Sequence, residues 1–528
     1  MKSRAILAVA VLSTALVSGG WLVERGLIGS ATGVSASLTG SGDRAHMFAE
    51  VMQHVARDYV DTLSDSTIYR DAAEGLIGEL GDPHSNYLPP KLAASLSERT
   101  TGRYAGVGIQ VDARDGYVIV AAPLPGGPAL AAGIQAGDRI TEVDGKDLRG
   151  APLDAAQKAL RGEPNSVVRV TIERPGVPTP LKFALTRKEI HVRSVQHAQL
   201  LGNGVGYVAL TIFSEESAAD LRHAIDSLRG AGMQTLIFDL RGDPGGLLTQ
   251  GVAVSDLFLN PNQRIVSIRG RTPQATATYD DREAQPWPSM PLVVLVDSNT
   301  ASAAEIVSGA LQDHDRAVLL GTTTYGKGSA QNVFQLANGG AAKLTTALWF
   351  TPSGRSINRK RDASDGSDAD SSSKKPPTFK TDAGRTVLGG GGITPDVIVP
   401  MTQPSAADSA LQRGLGKQIP SFRDAVTEEA LSLKTSHAVT SPDFVVTPAM
   451  RAALRARMKA HGVTLDDKTF ETAAPLIDRL LGYETARYAF GDAAEYARRV
   501  RDDQMIARAV TFARGAKTER ELLDRAKK

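Results

Sequence analysis

The 528-residue sequence contains no cysteine. That excludes disulfides, a thiolate nucleophile, thiolate-bound zinc and a lipidated N-terminal cysteine, and it leaves the compartment open. An excess of either charge is also missing. Sixty Lys and Arg against 58 Asp and Glu leave a formal charge of +2, without the basic excess that marks a nucleic-acid partner. Long apolar runs are scarce: residues 5–23 form one, and no other segment is long enough to cross a bilayer at about 20 residues. Histidine is sparse, with nine copies, which narrows the candidates for a general base. What is present is a globular composition, 42% hydrophobic and 22% charged, on a chain long enough for two to four domains.

Lys2 and Arg4 precede the run at 5–23. A basic start followed by an apolar stretch reads as an export signal or an N-terminal anchor, residues 1–28. Ser18-Gly19-Gly20 offers a cleavage site, and the length also suits a span. Either way the rest of the chain is expected outside the cytoplasm. The small, polar residues 29–44 read as a linker. Residues 45–103 carry helical spacing in Phe48, Val51, Met52, Val55 and Tyr59, and again over 69–80. Gly81-Asp82-Pro83 ends that stretch, and Pro89-Pro90 reads as a loop.

Residues 104–188 change period. Short apolar runs alternate with Gly, Pro and Asp turns and two short helices, which predicts a small, mostly β domain. From about 189 to 403 strands and helices alternate, the pattern of an α/β layer structure. Expected strands lie near 207–212, 235–240, 265–268, 292–296 and 318–320, with helices over 215–228, 246–258 and 301–311. Residues 359–384 are rich in Ser, Asp and Lys and read as a disordered insertion. Residues 404–528 read as helical and charged.

Three segments are locally odd. Asp239-Leu240-Arg241-Gly242-Asp243-Pro244-Gly245-Gly246 ends a strand, and its tandem glycines leave backbone N–H groups open to a ligand. Asp297-Ser298-Asn299-Thr300-Ala301-Ser302 follows a strand and enters a helix. Thr324-Tyr325-Gly326-Lys327-Gly328-Ser329-Ala330-Gln331 places a lysine between glycines, where it can thread into a confined site. Burial there would lower its pKa and make it a base. Seen singly, each has a plainer reading: a tight turn, a helix cap at Asn299, Thr300 or Ser302, an exposed turn lysine. Together they supply a nucleophile, a base and N–H donors for an oxyanion. His314 closes the helix that begins near Ser302 and points away, so a Ser-His-Asp triad is disfavoured. No metal or cofactor is expected.

The ordered motifs Asp239-Leu240-Arg241-x-x-Pro244-Gly245-Gly246, Ala301-Ser302-Ala303-x-Glu305-Ile306 and Gly326-Lys327-Gly328-x-x-Gln331 are similar to those of the carboxyl-terminal processing peptidases. Asp82-Pro83-His84-Ser85, Tyr207–Leu210 with Phe213, Thr351-Pro352-Ser353-Gly354-Arg355 and Gly392-Ile393-Thr394-Pro395-Asp396 extend the resemblance over roughly 45–400. It implies a crotonase-like α/β core with an inserted PDZ domain and helical regions at both ends. It implies Ser302 as nucleophile, Lys327 as base and Gln331 holding the lysine amine. Ala303 and one of Gly245 or Gly246 would donate to the oxyanion. Asp243 departs from the family, which usually has Asn there.

Residues 104–188 resemble a PDZ domain. Gly106-Val107-Gly108-Ile109 would be its carboxylate-binding loop, and Arg161 matches an arginine that couples PDZ position to the active site in some relatives. The implied activity is cleavage of envelope proteins in or near C-terminal regions, with protein or peptide substrates ending in apolar residues. The expected location is the bacterial cell envelope, periplasmic or extracytoplasmic, with membrane contact through the N-terminal segment alone. The helical termini would serve an adaptor or a homo-oligomer. The rival readings are a silent PDZ scaffold and a crotonase-fold acyl-CoA enzyme. An intact Ser302, Lys327 and Gln331 set argues against the first, and an export segment with a PDZ domain against the second.

Overall fold

The computed structural model describes residues 41–114, 116–124, 126–174, 177–359, 375–400 and 403–527. The expected N-terminal signal or anchor, most of the linker and the larger part of the polar insertion lie outside them. No helix among the described residues is long and apolar enough to cross a membrane. The chain forms two compact units: residues up to 102 with 193–399 and 512–528, and residues 103–192 with 400–511.

The first unit is built on a six-stranded sheet. Its spatial order is Val195–Leu200, Val205–Leu210, Thr235–Asp239, Leu292–Val296, Val318–Gly321, Val397–Ile398. The first pair is antiparallel and the remaining four pairings are parallel. Thr235–Asp239 and Leu292–Val296 are buried at every position. That is why they read as unbroken apolar runs rather than alternating ones. Helices Ser217–Gly230, Leu248–Asp256 and Ala303–Asp313 pack on this sheet through one hydrophobic core that includes Phe238, Phe258, Val294, Ala303, Ile306 and Val307.

A second sheet pairs Asn86–Leu88, Ala341–Phe350, Arg264–Gly270 and Ala277–Asp280, with Ser329–Gln335 hairpinned onto Ala341–Phe350. It brings Asp82-Pro83-His84-Ser85 beside the strand that carries Lys343 and Thr345. The Pro89-Pro90 reading needs correction. Pro90 opens a helix, Pro90–Thr101, at a position where its missing N–H costs nothing. The insertion reading also needs correction at its C-terminal end. Thr378–Lys380 and Thr386–Leu388 form a hairpin, held where Ala383 N donates to Asp315 and Asp382 N to the Asp313 carbonyl.

In the second unit, Ile109–Arg114, Tyr117–Pro123, Arg139–Val143, Val167–Glu173 and Leu181–Thr186 form an antiparallel sheet in that order. Helices Pro128–Ala131 and Leu153–Leu160 close its core of Val118, Val120, Ile140, Val168 and Leu185. Four long helices, Ala406–Leu415, Ile419–Thr435, Pro448–Ala460 and Asp467–Phe490, form a separate apolar core around Phe422, Leu454, Phe470 and Ile477. The C-terminal region expected as one block is therefore divided. Its last helix, Glu519–Ala526, belongs to the first unit, where Glu519 pairs with buried Arg316 at 3.3 Å.

Candidate functional site

The site lies at the C-terminal ends of the parallel strands of the first unit, where open α/β sheets place their ligands. Strand Leu292–Val296 leads through a tight turn to Ser302, the residue before helix Ala303–Asp313. Asp297 holds the turn: its Oδ1 accepts from the N–H groups of Asn299 and Thr300 at 2.9 and 3.0 Å. Ser302 sits at φ 56°, ψ −116°, a sparsely populated conformation for a residue with a Cβ. Such strain costs about 1–3 kcal/mol and persists where the surroundings over-determine it. Here they do: Ala301 N donates to the Asp243 carbonyl at 2.9 Å and Ser302 N to Glu305 Oε2 at 2.9 Å. Ser302 is itself the capping residue of this helix, in a capping box with Glu305: its carbonyl accepts Glu305 N at 2.9 Å and its own N–H is held by the Glu305 carboxylate.

Lys327 is 1% exposed. Its glycine neighbours let the chain pass closely: a Cβ on Gly328 would meet Asn358 N at 2.8 Å, and one on Gly326, at φ +86°, would meet Gly392 N at 3.0 Å. Burial drives the Lys327 ammonium well below its ordinary pKa, and Lys343 adds to that, while Glu305 and Asp82 oppose it. A lysine so placed is pushed toward the neutral amine that a general base requires.

Glu305 joins the two segments. Its carboxylate is fully buried and accepts four bonds: Ser302 N at 2.9 Å and Lys327 N at 2.9 Å on Oε2, Gly326 N at 2.7 Å and Thr324 Oγ1 at 2.5 Å on Oε1. Burial raises its pKa, and these four donors push it back down. Thr324 is itself clasped by the Gly392–Ile393 segment, with Ile393 N donating to its Oγ1 at 2.7 Å. In the sequence Glu305 is only one letter of a motif, with nothing beside it to mark a role. Its partners lie 3 to 22 residues away and only the fold shows them.

Tandem glycines occupy the expected turn. Gly245, at φ +90°, is the one residue type that fits: a Cβ there would lie 2.7 Å from Ala301 O and 2.8 Å from Ser302 Cβ and Ala303 N. Its N–H is already committed to Asp243 Oδ1 at 2.7 Å. That favours Gly246 of the two candidate donors. Ala303, as the first helical residue, has no carbonyl within its helix for its N–H.

Gln331 is buried on the neighbouring strand, but the bond to Lys327 that the resemblance implies is not made. Its Nε2 donates to Ser329 Oγ at 2.9 Å and Thr345 Oγ1 at 3.1 Å, and its Oε1 has no hydrogen-bond partner. Two residues without an assigned role stand near: Lys343, 3% exposed, and Asp82, bonded by Ser85 Oγ at 2.5 Å. Burial brings the Lys343 ammonium down to about 8, with Asp82 opposing. His314 lies at the far end of the helix, bonded to Asp382 and the Arg264 carbonyl, both at 2.7 Å.

In the second unit, strand Arg103–Gly106 runs into Val107, Gly108 and Ile109. Gly108 adopts φ +70° and its carbonyl accepts from Leu124 N, while Val107 O accepts from Ala129 N. Arg161 stacks on the Tyr104 ring at 4.7 Å, and its Cγ is 3.8 Å from where a Gly106 side chain would start. The fold thus gathers all five residues at one loop. Among the described residues, no group of three or more His, Asp or Glu could hold a metal.

Comparison with known proteins identifies the family. Residues 204–367 match the model of Peptidase family S41, and residues 95–173 the PDZ domain model. A carboxy-terminal-processing protease of Bartonella bacilliformis is 37% identical over 314 residues, 59% of this chain and 71% of that protein. The carboxy-terminal processing protease CtpA of Bacillus subtilis is 32% identical over 360 residues, 68% of this chain and 76% of that protein. A solved photosystem II D1 C-terminal processing protease is 29% identical, covering 67% of this chain and 92% of its own, with a TM-score of 0.36. The chain belongs to peptidase family S41 and is a PDZ-containing peptidase of the carboxy-terminal-processing type.

Proposed function

We propose that the peptidase works through Ser302 and Lys327 by acyl transfer. The observation that carries this reading is the single carboxylate oxygen of Glu305 that receives the backbone N–H groups of both Ser302 and Lys327. It holds a strained serine and a buried lysine in one fixed frame. Neutral Lys327 takes the Ser302 proton as Oγ attacks the scissile carbonyl. The N–H groups of Ala303 and Gly246 receive the developing oxyanion. The protonated lysine returns its proton to the leaving amine, and a water activated by Lys327 then releases the acyl-enzyme.

The core is of crotonase type, with the PDZ domain at 104–188 inserted after a helical region at 45–103 and before a catalytic region at 189–403. Substrates are flexible C-terminal segments of envelope proteins. The PDZ loop Gly106-Val107-Gly108-Ile109 takes the terminal carboxylate on backbone N–H groups, the substrate adds as a strand, and Arg161 shapes the loop. The enzyme acts outside the cytoplasm, held or delivered by residues 1–28. The helical termini serve an oligomer or adaptor.

The substrate reading predicts a result with unfolded polypeptides that end in apolar residues. Carboxyl-terminal amidation is expected to reduce kcat/KM by about tenfold or more, through lost tethering of the substrate end. Mass spectrometry of the products places the cuts near the C-terminus. Equal rates on free and amidated ends would overturn recognition of the carboxylate.

A further inference from the structure

Asp243 stands in the turn that bears the tandem glycines, and nothing in the mechanism above uses its side chain. It is fully buried. Oδ1 accepts the Gly245 N–H at 2.7 Å, while Oδ2 has no hydrogen-bond partner. Its carbonyl accepts Ala301 N at 2.9 Å, one residue before the nucleophile. Asp243 therefore braces its own glycine turn through its side chain and ties that turn to the serine turn through its carbonyl.

The charges around it offer no compensation. On its own turn, Arg241 is engaged by Asp239, with Nη2–Oδ2 at 2.6 Å. The neighbouring serine segment contributes two further carboxyls, Asp297, whose Oδ1 accepts Gly242 N at 3.0 Å, and Glu305, tied to Ser302 N. The lysine segment contributes Lys327, whose amine is driven toward neutrality. A carboxylate with one N–H bond and no cation is costly to bury. A carboxylate there would also repel the negative charge that develops on the substrate oxygen at the Gly246 and Ala303 N–H groups.

We propose that Asp243 is a positioning residue that serves the site as a neutral carboxylic acid, and that loss of its proton to solvent at raised pH disables the oxyanion donors. The inference rests on the Ser302–Lys327 reading. Burial raises the Asp243 pKa well above the usual carboxylate range, opposed by the single Gly245 N–H. The position at which the resemblance expects Asn would thus be filled by an acid that mimics the amide while protonated. The two buried groups then bound activity from opposite sides: Lys327 must lose its proton and Asp243 must keep it.

A carboxyl whose folded pKa lies above its unfolded value binds more protons in the folded state, so stability falls as pH rises between the two. Asp243→Asn removes that dependence. The test compares the parent and Asp243→Asn from about pH 6 to about pH 10 by kcat and by Tm. Each pH unit beyond the ionisation is worth up to about tenfold in the protonated fraction. The Asn-to-parent kcat ratio is expected to climb by at least about tenfold, and the Tm difference to move in favour of Asn. Asp243→Ser carries the same comparison if the Asn variant does not fold. Ser302→Ala and Lys327→Ala are run alongside. If those two still cleave, the dyad reading fails and this inference falls with it. If they are inactive while the Asp243 ratio and the Tm difference stay flat with pH, only the assignment of Asp243 is overturned.

Discussion

Ser302→Ala and Lys327→Met are each expected to lower kcat by about four orders of magnitude or more, because members of a nucleophile–base unit fail together. The two should differ in stability. Ser302→Ala keeps the backbone bond to Glu305 and the strained turn, so its unfolding should match the parent closely. Lys327→Met replaces a fully buried amine with an apolar side chain of similar length, which should leave stability unchanged or raise it. A lysine whose folded pKa is lowered binds fewer protons when folded than when unfolded. The parent therefore gains stability as pH rises through that interval, and Lys327→Met does not. Steady-state cleavage and thermal unfolding of both variants at two pH values check all of this. A Lys327→Met enzyme with near-parental kcat would require another base.

Glu305→Gln is expected to cost both folding and catalysis although Glu305 touches no substrate in the proposed mechanism. Every partner of its carboxylate is a donor. A carboxamide can satisfy those on one oxygen only, and its NH2 then faces two further donors. Losing charge-assisted bonds and burying unsatisfied N–H groups costs about 3–5 kcal/mol. Release of the Ser302 and Lys327 backbones should also lower kcat by at least about a hundredfold, the scale of a displacement near 1 Å. Urea unfolding and kcat measured on the folded fraction separate the two effects. A variant with parental stability and parental kcat would remove Glu305 from the frame.

The parallel strands were legible because burial on both faces makes them continuous apolar runs, as in Thr235–Asp239 and Leu292–Val296. Ser302, Lys327 and the tandem glycines were legible because each breaks its local pattern: a serine at a strand-to-helix turn, a lysine flanked by glycines. The hairpin Ser329–Gln335 with Ala341–Phe350 was not read. Its alternation places Lys343 inward, where period analysis expects an apolar residue. The helix Pro90–Thr101 was hidden because a Pro-Pro pair signals a turn as readily as a helix start. Contacts of long sequence separation were out of reach altogether. Thr345 N donates to Ser85 Oγ across 260 residues, and no local signal announces it. Gln331 shows the limit of resemblance, since its amide turns to Ser329 and Thr345.

The account rests on Ser302 forming an ester with the substrate. The most direct test is an acid quench early in turnover on an unfolded polypeptide with an apolar end, followed by intact-mass and peptide-mapping spectrometry. The account predicts a mass increase equal to a substrate fragment, esterified to Ser302, appearing in a burst and absent from Ser302→Ala. Cleavage that proceeds without any such adduct, or with the adduct on another residue, would contradict it.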